Sequence, residues 1–212
     1  MSSSAYAAQG AFLQVGATGT AVNLSAITNA SPPRVTSSTS HGYSDGALIK
    51  FSGVNGMTGI NGLLGVIQVV GTNQFDAYGI DATAFGTYTS GGTATPTQSR
   101  AINVTGWTGF DGQAGEIDVS DLDSKAKEYL GGLQDFGAVT FNVQINDADD
   151  GQNALRASKA AGGVATPYKL TFRNAKFRSW NGFCRQFSEN GAVDGVITGQ
   201  AVVRISGVVA RG

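Results

Sequence analysis

The chain has 212 residues, of which only 14% are charged against about 25% in an average soluble domain, and its formal net charge is −1. Such a neutral chain lacks the broad basic surface that non-specific nucleic-acid binding requires. One cysteine and one histidine exclude an internal disulfide framework and a His/Cys metal cluster. The first ten residues lack the features of a secretory signal, and no apolar run approaches the roughly 20 residues of a membrane span. We therefore expect a soluble chain made in a reducing compartment, with little charge repulsion against self-association.

The first half of the chain carries few charges and many turn signals. Residues 1–99 contain two basic and three acidic residues, whereas the remainder contains twelve of each. Runs of β-forming residues recur about every ten residues and are separated by glycine-containing turns. These runs are Arg34 to Ser37, Ala47 to Phe51, Leu63 to Val70 and Gln74 to Tyr78. The pattern predicts a small β-sandwich or barrel without a long helix, preceded by a short strand near residues 10–16.

The second half begins with a predicted strand and helix. A short strand over Glu116 to Asp123 is followed by Ser124 to Gln134, in which Ala126, Tyr129, Leu130 and Leu133 recur at helical spacing. Asp121 and Asp123 stand where they would cap this helix, and Gly131-Gly132 would weaken its last turn. The segment 124–134 is therefore predicted to be a short helix.

The clearest strand in the sequence runs from Ala138 to Asn146. Its apolar residues alternate strictly with Thr140, Asn142 and Gln144, which predicts a sheet with one buried face and one wet face. A second helix is predicted over residues 152–161, capped by Asp149 or Asp150 and closed by Gly162-Gly163. Three further strands are predicted over residues 167–173, 175–183 and 195–208, with inward residues Ile197, Ala201, Val203 and Ile205 in the last.

No catalytic constellation is recognisable in the sequence. The single histidine, His41, lies in a turn-like stretch that lacks a nucleophile elbow. The carboxylates Asp118, Asp121 and Asp123 are explained by the predicted strand-to-helix junction, and Cys184 by burial as a small apolar side chain. We therefore predict a protein that is not an enzyme, with no catalytic, cofactor or metal site.

One segment alternates basic and aromatic residues. It runs from Lys176 to Arg185, and this composition is found both at nucleic-acid contacts and in strands that pack against a core. The strand interpretation accounts for most of these residues.

Three segments of the second half resemble a known family. The segments Glu116 to Gly137 and Val139 to Leu155 resemble the strand and helix region of the major tail tube proteins of long-tailed, non-contractile bacteriophages. The segment Gly191 to Gly207 resembles that family's closing strand.

Part of the first half resembles a small β-module that recurs in phage structural proteins. The resemblance rests on segments such as Asn29 to Thr36, Ile49 to Met57 and Tyr88 to Gly92. This module is often described as a half-domain of ubiquitin-activating enzymes, but here it contains no cysteine for such chemistry.

The resemblance implies a fold class and a domain organisation. The fold is mainly β with α (α+β), an antiparallel β-sandwich with flanking short helices and an inserted small all-β domain. Residues 1–24 and 97–212 would form the tail tube core, and residues 25–96 the inserted module. Family members form stacked rings, expected to be hexameric, whose central channel conducts DNA into the host.

The resemblance also implies partners and a location. The partners are further copies of the chain, a tape measure protein inside the tube, and the tail initiator, tip and terminator proteins. DNA would pass through the lumen without sequence-specific binding, and neither a membrane nor a cofactor is involved. The location is the virion tail, assembled in the cytoplasm of the host bacterium.

Two sets of residues are candidates for this role. Thr140, Asn142 and Gln144 are a candidate channel wall, because a basic lining would retain the phosphates of the moving DNA. An N-terminal arm and a glycine-rich loop over residues 107–115 could order on contact with the next ring. The candidate inter-ring residues are Ser2, Tyr6, Gln9, Trp107, Phe110 and Asp111.

A second function remains open at this point, namely a tail-tip or fibre module that binds a receptor or carbohydrate. Sugar sites use exposed aromatic side chains, and the candidates are Tyr43, Phe51, Phe75, Tyr78, Phe85 and Tyr88. The same residues could instead form the core of the small module.

Overall fold

Antiparallel strands make up most of the structure, a computed structural model that describes residues 8–101 and 103–212. They form a seven-stranded sheet, a closed six-stranded barrel and a separate two-stranded hairpin. The mainly β, antiparallel character predicted from the sequence is therefore confirmed. No helix in the described residues is long and apolar enough to cross a membrane.

The barrel follows the first strand, β1 (Phe12–Gly16), which belongs to the large sheet. The barrel strands are β2 (Val22–Ile27), β3 (Arg34–Ser37), β4 (Leu48–Asn55), β5 (Leu64–Gly71), β6 (Gln74–Tyr78) and β7 (Ser90–Pro96), in the order β2-β3-β6-β5-β4-β7. Alternate residues point inward, so that Val35, Phe51 and Phe75 are fully buried in its core. The four strands predicted in this half are confirmed, β4 being longer than expected.

The remaining elements complete the large sheet. They are β8 (Gln98–Ala101), β9 (Val104–Gly109), the hairpin strands β10 (Ala114–Asp118) and β11 (Tyr129–Gln134), β12 (Ala138–Gln144), α1 (Asp150–Ala160), β13 (Thr166–Thr171), β14 (Phe177–Asn190) and β15 (Thr198–Arg211). The sheet order is β8-β1-β13-β14-β15-β12-β9, so β8 and β9 are its two edges. The predicted facing of β12 is confirmed, because Val139, Phe141 and Val143 are at most 1% exposed.

Helix α1 forms the layer between the sheet and the barrel. It begins after Asp149, whose carboxylate accepts hydrogen bonds from the backbone N–H groups of Gly151 (2.8 Å) and Gln152 (3.2 Å). It ends before Gly162, which has a φ of +67°. Both predicted signals are therefore confirmed.

The sheet-facing side of α1 is buried and hydrogen-bonded. Ala154 and Leu155 are fully buried in the same cluster as the inward residues of β12. The Ser158 hydroxyl accepts hydrogen bonds from the Tyr168 hydroxyl (2.7 Å) and the Cys184 backbone N–H (3.1 Å). These bonds fix the position of the helix on β13 and β14.

The opposite side of α1 contacts the outer surface of the barrel. Leu48 and Val66 point away from the barrel interior, yet both are fully buried in the cluster that contains the sheet and helix residues. Lys50 adds an ion pair with Asp150 at 3.9 Å. The barrel is therefore packed against the helix and not merely tethered to it.

The predicted helix over residues 124–134 is wrong. Tyr129–Gln134 form β11, which pairs with β10 in a hairpin, with Ile117 opposite Leu130 and Asp118 opposite Tyr129. The apolar residues at helical spacing remain exposed among residues 8–101 and 103–212, and two glycines disfavour a helix over an extended strand.

Two further details differ from the sequence prediction. Ile197 lies outside β15 and is 53% exposed, although Ala201, Val203 and Ile205 do point inward. The predicted glycine-rich loop 107–115 is mostly strand, because Trp107 to Gly109 continue β9 and pair with β12. Only residues 110–113 connect this strand to the hairpin.

Candidate functional site

The predicted wet face of β12 lies on the side of the sheet opposite the helix. Thr140 and Asn142 are half-buried and Gln144 is exposed, whereas their neighbours along the strand point into the core. Asn142 stands opposite Gln200 of β15, which stands opposite Ser188 of β14. The structure thus brings the predicted residues into cross-strand rows that extend over three strands.

These rows form a shallow concave surface without formal charge. Its lining includes the side chains of Thr105, Asn142, Ser188, Asn190, Thr198 and Gln200. The Gln200 amide donates to Asn142 Oδ1 (3.1 Å), and the Thr105 hydroxyl donates to the Asn142 carbonyl (3.2 Å). The surface therefore presents hydrogen-bonding amide and hydroxyl groups but no charged side chain.

The β10–β11 hairpin connects β9, an edge strand of the large sheet, to β12, the strand that pairs with β9. Every residue of its two strands is exposed except Gly132, which is half-buried. Several of its apolar side chains are exposed to solvent, including Ile117 (54% exposed), Leu130 (59%) and Leu133 (94%). Because Ile117 and Leu130 are directly opposite, they share one face of the hairpin.

The carboxylates of the hairpin organise its own turn. Lys127 donates to Asp118 at 2.8 Å, and this bond, with those from Ser120, lowers the pKa of Asp118 to about 2. Asp121 accepts from the backbone N–H of Asp123 at 2.9 Å. The predicted capping of a helix by these residues is wrong, since no helix follows. No group of three metal-ligating side chains occurs in residues 8–101 and 103–212.

The candidate inter-ring residues are found in different surroundings. Ser2 and Tyr6 lie outside the described residues, and Gln9 is exposed beside a cleft that also includes Trp107. Trp107 is half-buried, with its ring centroid 5.9 Å from that of Phe110 and 6.0 Å from that of Phe172. Asp111 is exposed at the base of the hairpin. Contact of these residues with another ring stays a prediction.

His41 and Cys184 are both buried side chains. His41 is 7% exposed, with Nε2 2.9 Å from the Gly71 carbonyl and Nδ1 accepting from the Tyr43 N–H at 2.9 Å. Both ring nitrogens are therefore engaged by backbone. Cys184 is 2% exposed, as predicted, and burial raises the pKa of its thiol to about 11.

The barrel aromatics pack inward and do not form an open cleft. Phe51 and Phe75 are fully buried, and Tyr43, Phe85 and Tyr88 pack around them. The Tyr43 hydroxyl donates to the Ala94 carbonyl at 2.8 Å. The interpretation of these residues as the core of the module is confirmed, except that Tyr78 packs against the other cluster.

The sequence analysis missed one surface and indicated another only in part, through the alternating basic and aromatic residues from Lys176 to Arg185. The missed surface is the apolar hairpin, which the alternation of Ile117 and Val119 and the glycine pair at 131–132 could have indicated. The other is a group of basic residues around the β13–β14 turn, at one end of the sheet. The absence of any acidic residue between positions 151 and 188 could also have indicated it.

Comparison with known proteins gives one family match and a similarity to a solved structure. Residues 31–98 match the ubiquitin-activating enzyme E1 FCCH domain, a span that includes five of the six barrel strands. No curated protein matches the chain in sequence. A solved structure described as "Virion of native gene transfer agent (GTA) particle" is similar to 54% of this chain and 88% of its own, with a TM-score of 0.46 and 13% identity. The family match therefore concerns the barrel alone.

Proposed function

We propose that the chain is a non-enzymatic structural subunit of a phage virion, which self-assembles into stacked rings that form the tail tube. The exposed apolar hairpin formed by β10 and β11 is the observation on which this proposal rests. A two-stranded hairpin alone is marginally stable in water, and here neither face of its strands is covered by the part of the chain that the structure describes. The sequence resemblance, which includes this same segment, supplies the expectation of hexameric rings and of a conduit for DNA.

Burial of the hairpin by a second copy would supply the missing stabilisation. Complete burial of a leucine or isoleucine side chain contributes about 1.5–3 kcal/mol. Ile117, Leu130 and Leu133 each have half or more of their surface left to bury. A subunit contact over these residues would thus contribute several kcal/mol, repeated at every interface of a ring.

The edges of the large sheet offer a second means of association. β8 pairs only with β1, and β9 only with β12, among the described strands. Unpaired edges accept strands from other chains. A contact that joins different surfaces of two copies closes into a ring when the rotation allows it, which is the assembly proposed here.

The shallow concave surface on β12, β14 and β15, whose lining carries no formal charge, is the proposed channel wall. Arg204 lies farther along the same face of β15, where it is paired with Asp135. A polar surface without basic residues allows DNA to slide, whereas each lysine or arginine contact with a phosphate would retain it. The barrel contacts α1, which packs on the other face of the sheet. If the concave surface lines the channel, the barrel therefore lies on the outside of the tube.

Assembly of the purified chain tests the proposal. Negative-stain imaging and sedimentation of the concentrated protein should reveal rings or tubes, alone or beside a tail initiator complex. Leu130→Asp should prevent them, while Val70→Asp, at a 46% exposed site on the barrel, should leave them intact. A chain that stays monomeric under all these conditions would rule out the proposed function.

A further inference from the structure

Six basic residues gather at one end of the large sheet, which we call the basic end. They are Arg100, Lys169, Arg173, Lys176, Arg178 and Arg211. None of them forms an ion pair with a carboxylate in residues 8–101 and 103–212. Of the eight basic residues elsewhere in the chain, five form an ion pair with a carboxylate in the described residues, so this group of unpaired cations differs from the rest of the surface.

The strand register brings these residues to one end of the sheet but distributes them over both faces. Arg178 stands opposite the buried Leu170 and so points, with Arg211, to the helix side of the sheet, whereas Lys169 points, like Arg100, to the other side. Arg100 of β8 and Lys169 of β13 both stand opposite Gln14 of β1, one on each side. Arg178 stands opposite Arg211 where β14 begins and β15 ends. Arg173 and Lys176 lie in the exposed turn between β13 and β14.

Aromatic rings are interleaved with the cations. The Arg100 guanidinium lies 4.2 Å from the centroid of the Phe12 ring, and Lys169 Nζ lies 4.6 Å from that of Phe177. Both rings are half-buried, so each leaves part of its apolar surface open. The basic end thus combines positive charge with apolar area.

The hairpin has the opposite charge and a matching apolar content. From Ala114 to Gln134 it carries five carboxylates and two lysines, a net charge of −3. Glu116 and Glu128 are exposed and form no ion pair in the described part of the chain. Ile117 and Leu130 share one face of the hairpin with Glu128, whereas Glu116 points to the other face.

We infer that the hairpin of one copy docks on the basic end of the next copy, an inference that rests on the proposed function. Complementary charge steers two such surfaces together and fixes their register. The apolar side chains of the hairpin would cover the open parts of Phe12 and Phe177. A nucleic acid would match the charge of the basic end but would leave the apolar hairpin uncovered, which is why a second copy is the occupant we favour.

Charge reversal on each surface tests this pairing. The hairpin variant is Glu116→Lys with Glu128→Lys, which changes the hairpin's net charge from −3 to +1. The basic-end variant is Lys169→Glu with Arg173→Glu, Lys176→Glu and Arg211→Glu, which changes the charge of the six basic-end residues from +6 to −2. No side chain changed here has a hydrogen-bond partner in the described residues, so the fold should persist. Each variant should lose assembly by about tenfold or more, measured by sedimentation at low salt, because like charges now face each other. Arg185→Glu, an exposed arginine of β14 outside the basic end, is the matched control and should assemble normally.

Restoration makes the test decisive. A chain carrying both reversals should assemble again, and an equimolar mixture of the two variants should co-assemble, since each then offers the complement of the other. If the unmodified chain assembles and both variants assemble equally well, the docking inference is wrong and the proposed function stands. If the unmodified chain never assembles, both the docking inference and the proposed function are wrong. If the basic-end variant assembles normally but loses binding to a single-stranded oligonucleotide, the basic end is a polyanion site instead.

Discussion

Removal of Leu48 from the barrel surface provides the sharpest test of the three-layer arrangement. Its side chain points out of the barrel, where strand residues usually meet solvent, yet it is 0% exposed because α1 and the sheet cover it. Leu48→Ala leaves a cavity between barrel and helix. Substitutions of this kind at fully buried sites cost about 2–5 kcal/mol.

The expected change in melting temperature follows from the size of the chain. For a protein of 150–250 residues, each kcal/mol lowers the melting temperature by about 2–4 °C. A cost of about 3 kcal/mol therefore predicts a decrease of about 6–12 °C, measured by calorimetry at a concentration where the chain is monomeric. The matched control is Ser52→Ala, on the same outer face of β4 but exposed, which should change it by less than about 2 °C.

The outcome separates a docked barrel from a tethered one. If Leu48→Ala lowers the melting temperature no more than Ser52→Ala does, the barrel is not packed on the helix in solution, and the two units do not share a core. If Leu48→Ala splits a single unfolding transition into two, the contact is real and couples the unfolding of the two units.

Three further experiments test other parts of the structure. Phe141→Asp places an unpaired carboxylate in the core at a cost of several kcal/mol, so we expect insoluble protein, whereas Thr140→Asp on the wet face should stay soluble; equal solubility would contradict the facing. Because the pKa of Asp118 is lowered to about 2, chiefly by Lys127, its ion pair stabilises the folded hairpin above about pH 4 and is lost as pH falls through about 2; carboxyl NMR titration should find this, and an ordinary pKa would contradict it. With its pKa raised to about 11, Cys184 should react with an aromatic disulfide reagent near pH 8 only after unfolding, and fast labelling of folded protein would show that the thiol is accessible.

The elements that the sequence predicts well are those determined by local signals. Helix α1 is enclosed by Asp149, which satisfies its first N–H groups, and by Gly162, which adopts a positive φ. The strand β12 alternates polar and apolar residues without interruption, and a period of two has only one structural meaning. In both cases the decisive interactions lie within a few residues of one another in the sequence.

The parts that could not be predicted depend on contacts between distant residues. Closure of the barrel requires β2 to pair with β7, some seventy residues later. The burial of Leu48 depends on a helix about a hundred residues away. The basic end arises because four strands from both halves of the chain contribute cations to the two faces at one end of the sheet. None of these distances leaves a periodic trace in the sequence.

The one element assigned to the wrong type also carries the proposed interface, and the two facts have a common cause. Reading Leu130 and Leu133 as a helix face assumes that apolar residues pack against their own chain. In the structure they pack against nothing described, so the assumption fails at this segment, as it also does at Ile197. If apolar residues are buried by another copy of the chain, their spacing no longer indicates which face is buried within their own chain. The failure of the helix prediction at 124–134 is thus itself an argument that this segment is completed by a partner.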